Sequence, residues 1–170
     1  MVSFTFLHRR NRKAFRDLPD LYAAYRQQTI CNHGGKKHSL FVFRNELRRV
    51  LKRTDECVWS SNPRCFIVLH EDSRIIGFCD LRTKSSDLAE RAEPYGTVED
   101  FYIAEDQRKK GYGRMLYDRA EKVFRENGTK TVLITPDPVS GTAFWSKMGY
   151  ADTGDCVPDT DSRIYEKNLD

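Results

Sequence analysis

The chain has 170 residues, 39% of them hydrophobic and 32% charged, with a formal net charge of +4. That length suits one globular domain with one core, and so small a basic excess gives nucleic acid no general claim on the surface. Apolar runs such as 66–69 and 132–134 are far too short to cross a bilayer, and the basic cluster follows the apolar start rather than preceding it, so no cleavable leader is read and a cytoplasmic protein is expected.

In chain order, residues 3–7 alternate as a first strand. Residues 17–28 bring Leu18, Leu21, Tyr22 and Tyr25 to one side of a short helix, with Pro19 in its first turn. Residues 29–38, which hold Gly34 and Gly35, read as a loop. A second helix follows from a Ser39 N-cap and buries Phe43, Leu47, Val50 and Leu51. Residues 65–70 and 75–81 form a hairpin around a polar turn, 83–95 is a polar connection, and 97–104 is another strand. The next helix carries Leu116, Ala120, Val123 and Phe124 as one apolar stripe and stops at Asn127 and Gly128. A strand at 131–135, ended by Pro136 and Pro138, a short helix at 142–148 and a last strand at 163–167 complete the chain. With no repeat or linker, this order predicts a single α+β domain over residues 1–170.

Five scattered cysteines with no C-x-x-C pair point to free thiols, not a disulfide framework or zinc site. His33 and His38 are the one near pair of histidines and lack further ligands, so no metal is expected. Arg9, Arg10, Arg12 and Lys13 read as a solvated basic surface, and no nucleic-acid or membrane partner is expected.

The chemistry concentrates between 98 and 114, where a strand runs out, turns, and a helix begins at Gly111 and Gly113. The first N–H groups of a helix have no internal acceptor, and the helix dipole adds positive potential there. Glycines let a diphosphate approach bare backbone, while Arg108, Lys109, Lys110 and Arg114 add formal charge. The string is not a P-loop, because no Gly-Lys-Ser/Thr follows, and Leu116 stands where a dinucleotide fingerprint needs its third glycine.

Arg108-Lys109-Lys110-Gly111-Tyr112-Gly113 resembles motif A of the GNAT superfamily of N-acetyltransferases, R/Q-x-x-G-x-G/A. Phe144-Trp145-Ser146-Lys147-Met148-Gly149-Tyr150 is similar to that family's F-Y-x-K-x-G-F signature, and 98–103 is locally similar to spermidine/spermine-type acetyltransferases. The resemblance implies a mixed, mostly antiparallel central sheet flanked by about four helices, with acetyl-CoA as co-substrate. It places the pantetheine and acetyl groups along the main chain of Phe101, Tyr102 and Ile103, with an amide of Tyr102 or Ile103 facing the developing oxyanion. It places the diphosphate on Arg108, Lys109, Lys110, Gly111, Tyr112, Gly113 and Arg114, and further cofactor contacts at Ser140 and Trp145.

Glu99 is the expected base, with Asp100 pointing to the opposite face of the strand; substrate binding or a structural role is the alternative for Glu99. Two departures from the family stand out. Trp145 replaces the tyrosine that often protonates the leaving thiolate, and indole N–H is no acid at neutral pH; Tyr150, Tyr165 or solvent is left for that task. Pro138, beside Asp137 and Ser140, replaces the usual pantetheine-binding asparagine. The acceptor site is expected between a basic loop (His33, Lys36, Lys37, His38) and an acidic stretch (Asp152, Asp155, Asp159, Asp161). The resulting expectation is acetyl transfer to the primary amine of a small molecule that is polyamine-, aminoglycoside- or amino-acid-like. A peptide or protein amine, or a non-catalytic acetyl-CoA-binding module, is the alternative, and the sequence is open to a homodimer.

Overall fold

A computed structural model describes residues 1–7, 15–57 (side chains to 54), 64–158 and 160–169. The basic cluster at Arg9, Arg10, Arg12 and Lys13, the Cys57 side chain and Asp159 therefore lie outside the described residues.

In order, the elements are β1 (Val2–Phe6), α1 (Leu18–Asn32), α2 (Leu40–Cys57), β2 (Arg64–Glu71), β3 (Arg74–Ser85), β4 (Tyr95–Ile103), α3 (Tyr112–Glu126), β5 (Thr131–Ile134), α4 (Thr142–Lys147), β6 (Ala151–Cys156) and β7 (Arg163–Asn168). A single 3₁₀ turn, Glu105–Gln107, links β4 to the loop before α3. The strands form one sheet in the order β1-β2-β3-β4-β5-β7-β6. β4 and β5 run parallel, and every other neighbouring pair is antiparallel. This is the mixed, mostly antiparallel α+β architecture with four α-helices that the sequence predicts.

Alternation along the strands divides the core between the two faces of the sheet. Phe66, Val68 and Phe78 meet Leu18 and Tyr22 of α1 and Leu47, Val50 and Leu51 of α2. Ile67, Leu69, Cys79, Leu81 and Val98 meet Leu116, Tyr117, Ala120, Val123 and Phe124 of α3 and Trp145 of α4. The predicted stripes of α2 and α3 are thus the buried ones. α1 runs one turn further than its pattern foretells, to Asn32, because its last residues pack by tertiary contact, and Asn32 donates to Asp137 after β5.

One strand escaped the pattern. β6 (Ala-Asp-Thr-Gly-Asp-Cys) is almost wholly exposed at the sheet edge, so it has no apolar alternation to betray it.

α3 is tied to the far end of the sheet by Glu121, which takes an ion pair from Lys167 of β7 and another, at 2.8 Å, from Arg125. Partial burial pushes the Glu121 carboxyl up, but the hydrogen bonds from Lys167, Arg125 and Tyr117 outweigh it and hold the pKa below its ordinary value. A carboxyl with a depressed folded pKa binds fewer protons than its unfolded form, so its stabilisation is present above the unfolded pKa and vanishes as pH falls through the folded one. Glu121→Gln should therefore lower the melting temperature near neutrality, and its deficit against wild type should shrink between about pH 7 and pH 3. A pH-independent deficit in thermal denaturation would remove Glu121 from this role.

Candidate active site

β4 serves two neighbours unequally. It pairs with β3 along most of its length, from Ser85↔Tyr95 to Gly77↔Ile103. With β5 it pairs only at Gly96↔Val132 and Thr97↔Leu133. Beyond Thr97 the strands part, and the β5-facing edge of residues 99–103 has no ladder partner among the described residues. The side chains there are engaged in packing: Phe101 lies 5.1 Å from the Trp145 ring, Tyr102 5.9 Å from Phe78, and Ile103 is buried. The sequence expectation that packing explains the side chains, and a ligand the main chain, is compatible with this arrangement.

The parting coincides with a β-bulge. Asp80 pairs with Asp100, but the next residue, Leu81, pairs with Val98, so Glu99 is the extra residue. The bulge overturns the expected alternation. Glu99 and Asp100 do not point to opposite faces; both line one cavity of about 310 Å³ on the α1/α2 side of the sheet. Strict period-two alternation holds only where the ladder is regular, and one inserted residue cancels it.

The two carboxylates have different surroundings. Glu99 forms ion pairs with Arg64 of β2 and Arg82 of β3. Arg64 also grips the fully buried Asp80, with Nε 3.0 Å from Oδ1, so a charge cluster spans three strands. Asp100 accepts a 2.7 Å hydrogen bond from the Tyr25 hydroxyl of α1. Burial pushes the Asp100 carboxyl above the usual range; the Tyr25 hydrogen bond and the Arg26 charge oppose that rise, and the nearby Glu99 adds to it. Sequence reasoning missed this cluster, although a lone aspartate inside the apolar run Ile75–Leu81 was its visible sign.

The anion cradle is expected at the turn before α3. Gly111 is the N-cap in the left-handed region (φ 88°), and Lys109 is also left-handed (φ 62°). The Arg108 amide reaches Glu105, and the Met115 amide reaches Gly111. Among the described residues, no carbonyl or side chain accepts from the six amides of 109–114 between them. That row of open donors at the positive end of a 15-residue helix fits a diphosphate.

The side chains of the cradle divide. Lys109 is exposed, with no recorded partner among the described residues. Lys110 reaches Gln107 at 2.9 Å, and Arg114 touches the Lys147 carbonyl at 3.4 Å. The Tyr112 hydroxyl bonds to Glu71. Arg108 donates to the Ile103 carbonyl at 3.0 Å and to Gln28 at 2.7 Å, and it lies over the Tyr102 ring. Its guanidinium thereby clamps the end of β4 to α1. A Cβ on Gly113 would sit 3.0 Å from the Phe144 ring, so this glycine lets α4 close on α3.

Trp145 stands in a cluster of edge-on rings with Phe101, Tyr117, Phe144 and Tyr150. Tyr150, one of the alternatives the sequence leaves for the acid beside Tyr165 and solvent, is buried there and lies 3.3 Å from the Tyr117 hydroxyl; burial raises its pKa. Ser140 caps a tight turn by bonding to Asp137, which also takes Asn32. The two loops expected around the acceptor do not line the cavity at the bulge. The acidic stretch is partly answered by arginines, Arg163 on Asp152 and, from the connection between β3 and β4, Arg91 near Asp155. Among the described residues no group of three or more potential ligands is arranged for a metal ion, and no helix is long and apolar enough to cross a membrane.

The acetyltransferase (GNAT) family model matches residues 19–150. This chain belongs to the GNAT family of acetyltransferases. An N-acetyltransferase of Chlorobaculum tepidum, described as uncharacterised, is 30% identical over 101 residues, which cover 59% of this chain and 58% of that relative. The fold of the PaiA N-acetyltransferase of Thermoplasma acidophilum, solved in complex with coenzyme A, is similar over 99% of both chains, with TM-score 0.70 and 17% identity. PH1933 of Pyrococcus horikoshii is similar over 100% of this chain and 99% of its own, with TM-score 0.73 and 16% identity. The GNAT fold, and with it the family resemblance read from 108–113 and 144–150, therefore holds for this chain.

Gly111 offers a direct test of the cradle. A Cβ there meets nothing within 4 Å, so the first side-chain atom has open space, though the left-handed backbone penalises any side chain by about 1–3 kcal/mol. Gly111→Val should leave a folded protein of lower melting temperature whose affinity for coenzyme A, measured by calorimetry, falls more than about tenfold. Unchanged affinity would remove the turn from cofactor binding.

Proposed function

We propose that the chain transfers the acetyl group of acetyl-coenzyme A to the primary amine of a small molecule. The observation that carries this reading is the cavity with two carboxylates at the bulge of β4, beside the backbone edge that β5 leaves open. The amides of Lys109, Lys110, Gly111, Tyr112, Gly113 and Arg114 would hold the diphosphate, and the main chain of Phe101, Tyr102 and Ile103 the pantetheine arm. Acetyl-coenzyme A supplies an activated acyl group on a thiol able to leave without a protein acid.

An alkyl ammonium must lose a proton before it attacks, at a cost of about 4 kcal/mol at neutral pH. Glu99 was the expected acceptor of that proton. Its lone pairs are engaged by Arg64 and Arg82. Asp100, which no arginine grips and whose carboxyl burial pushes above the usual range, takes that proton, and Glu99 holds the bulge and its arginines in place. A β4 amide donates to the acyl oxygen.

The packing of Trp145 into the core, where many relatives place a tyrosine, favours a second reading, a coenzyme-binding module without turnover. A thiol-release assay over a panel of amines separates the two. A base is active when ionised, so kcat/KM should rise with pH through the elevated Asp100 pKa. Asp100→Asn should lower kcat by about a hundredfold or more and abolish that limb. Retention of the limb in Asp100→Asn and its loss in Glu99→Gln would return the role to Glu99.

A further inference from the structure

The cavity at the bulge has a charge arrangement that the acetyl-transfer reading does not use. Four arginines and three carboxylates line it. Two of the arginines are committed: Arg26 of α1 pairs with Glu46 of α2 at 3.0 Å, and Arg64 is held by Asp80 and Glu99. The other two, Arg49 and Arg53, stand one helical turn apart on α2 and so share a face. Both side chains are exposed at the cavity wall, and neither has a hydrogen-bond or ion-pair partner among the described residues. Asp100 is the one lining carboxylate that no arginine grips directly.

Subtracting the internal pairs leaves a site with two separated poles, one carboxylate beside the open edge of β4 and a pair of guanidinium groups on the helix above. We propose that the acceptor carries an anionic group, a carboxylate or a phosphate, beside its amine, and that Arg49 and Arg53 bind that group while the amine faces Asp100. The proposal rests on the acetyl-transfer reading for the fate of the amine. Arginine presents a planar fork of N–H donors matched to the oxygens of carboxylate and phosphate. The same two positive charges repel a polyamine, which would bring several cations to a wall that already has them. The chemistry balances without another reactant. The ammonium gives up two protons as the C–N bond forms and the C–S bond breaks; one ends on the departing sulfur, and the other passes through Asp100 to solvent.

The ordinary alternative is a solvated basic helix, since α2 also carries Arg44 and Arg48. Arg44 pairs with Asp20 and Arg48 reaches Asn45, and neither lines the cavity, so Arg48 provides the control. The experiment uses matched amines, phosphoethanolamine against ethanolamine and β-alanine against propylamine, with spermidine as the polycation. Thiol release gives kcat/KM, and calorimetry gives binding to the protein loaded with coenzyme A.

The acid-bearing member of at least one pair should be preferred by about tenfold or more, and the preferred pair tells phosphate from carboxylate. In the Arg49→Ala/Arg53→Ala variant that preference should collapse by a similar factor, chiefly through KM, while Arg48→Ala retains it. Preference for the uncharged partners or spermidine, or a ratio that the double variant does not move, would overturn the proposal. If no amine releases thiol, the acetyl-transfer reading fails and binding alone decides. Acid-bearing amines that bind wild type but not the double variant keep the anion site, and amines that bind neither remove it.

Discussion

A backbone amide or carbonyl taken from water needs a partner, and β4 loses one of its two neighbours after Thr97. From that point the strand is held by β3 and by the side chains of Phe101, Tyr102 and Ile103, while its other edge stays open. Such an edge inside a domain is costly unless something regularly fills it. The bulge at Glu99 bends the strand at this spot, and the parallel pairing with β5 does not resume. The cradle before α3 continues the same condition around the corner, with six more amides left open. The two open segments are joined by Arg108, which bonds the last carbonyl of β4 and reaches Gln28 of α1. Arg108, a position where the sequence leads one to expect phosphate binding, thus also fixes the exit of the strand.

The cluster of Arg64, Asp80, Glu99 and Arg82 is the second consequence of the bulge. Asp80 is fully buried between the sheet and α1/α2, where an unpaired carboxylate is not tolerated. Arg64 answers it and extends to Glu99, and Arg82 approaches the same carboxylate from the next strand. A buried ionic network of this kind contributes little net stability, because desolvation offsets attraction. What it does specify is register: a one-residue slip of β4 on β3 would separate Glu99 from both arginines. The shape of the cavity and the orientation of Asp100 depend on that register, which ties a structural pairing to the chemistry proposed for the site.

Much of this was legible in the letters. The stripes of α2 and α3, the β2–β3 hairpin, the stop at Asn127 and Gly128, and the glycine-bearing turn follow from period and turn chemistry, and each is present. What failed did so for identifiable reasons. β6 has no buried face, so no alternation marks it. The shared face of Glu99 and Asp100 comes from a bulge, which depends on pairing with β3 and leaves no mark in β4 alone. Arg49 and Arg53 look like any solvated helix face until α1 and the sheet close a cavity around them.

The proposed transfer depends on coenzyme A reaching the open amides at the turn and along β4. Titrating ¹⁵N-labelled protein with coenzyme A and following each backbone amide by NMR tests it residue by residue. The largest shifts are expected at Lys109, Lys110, Gly111, Tyr112, Gly113 and Arg114, with a second group along Glu99 to Ile103. Saturating coenzyme A that leaves those resonances in place, or that moves amides of α1 and α2 alone, would contradict it.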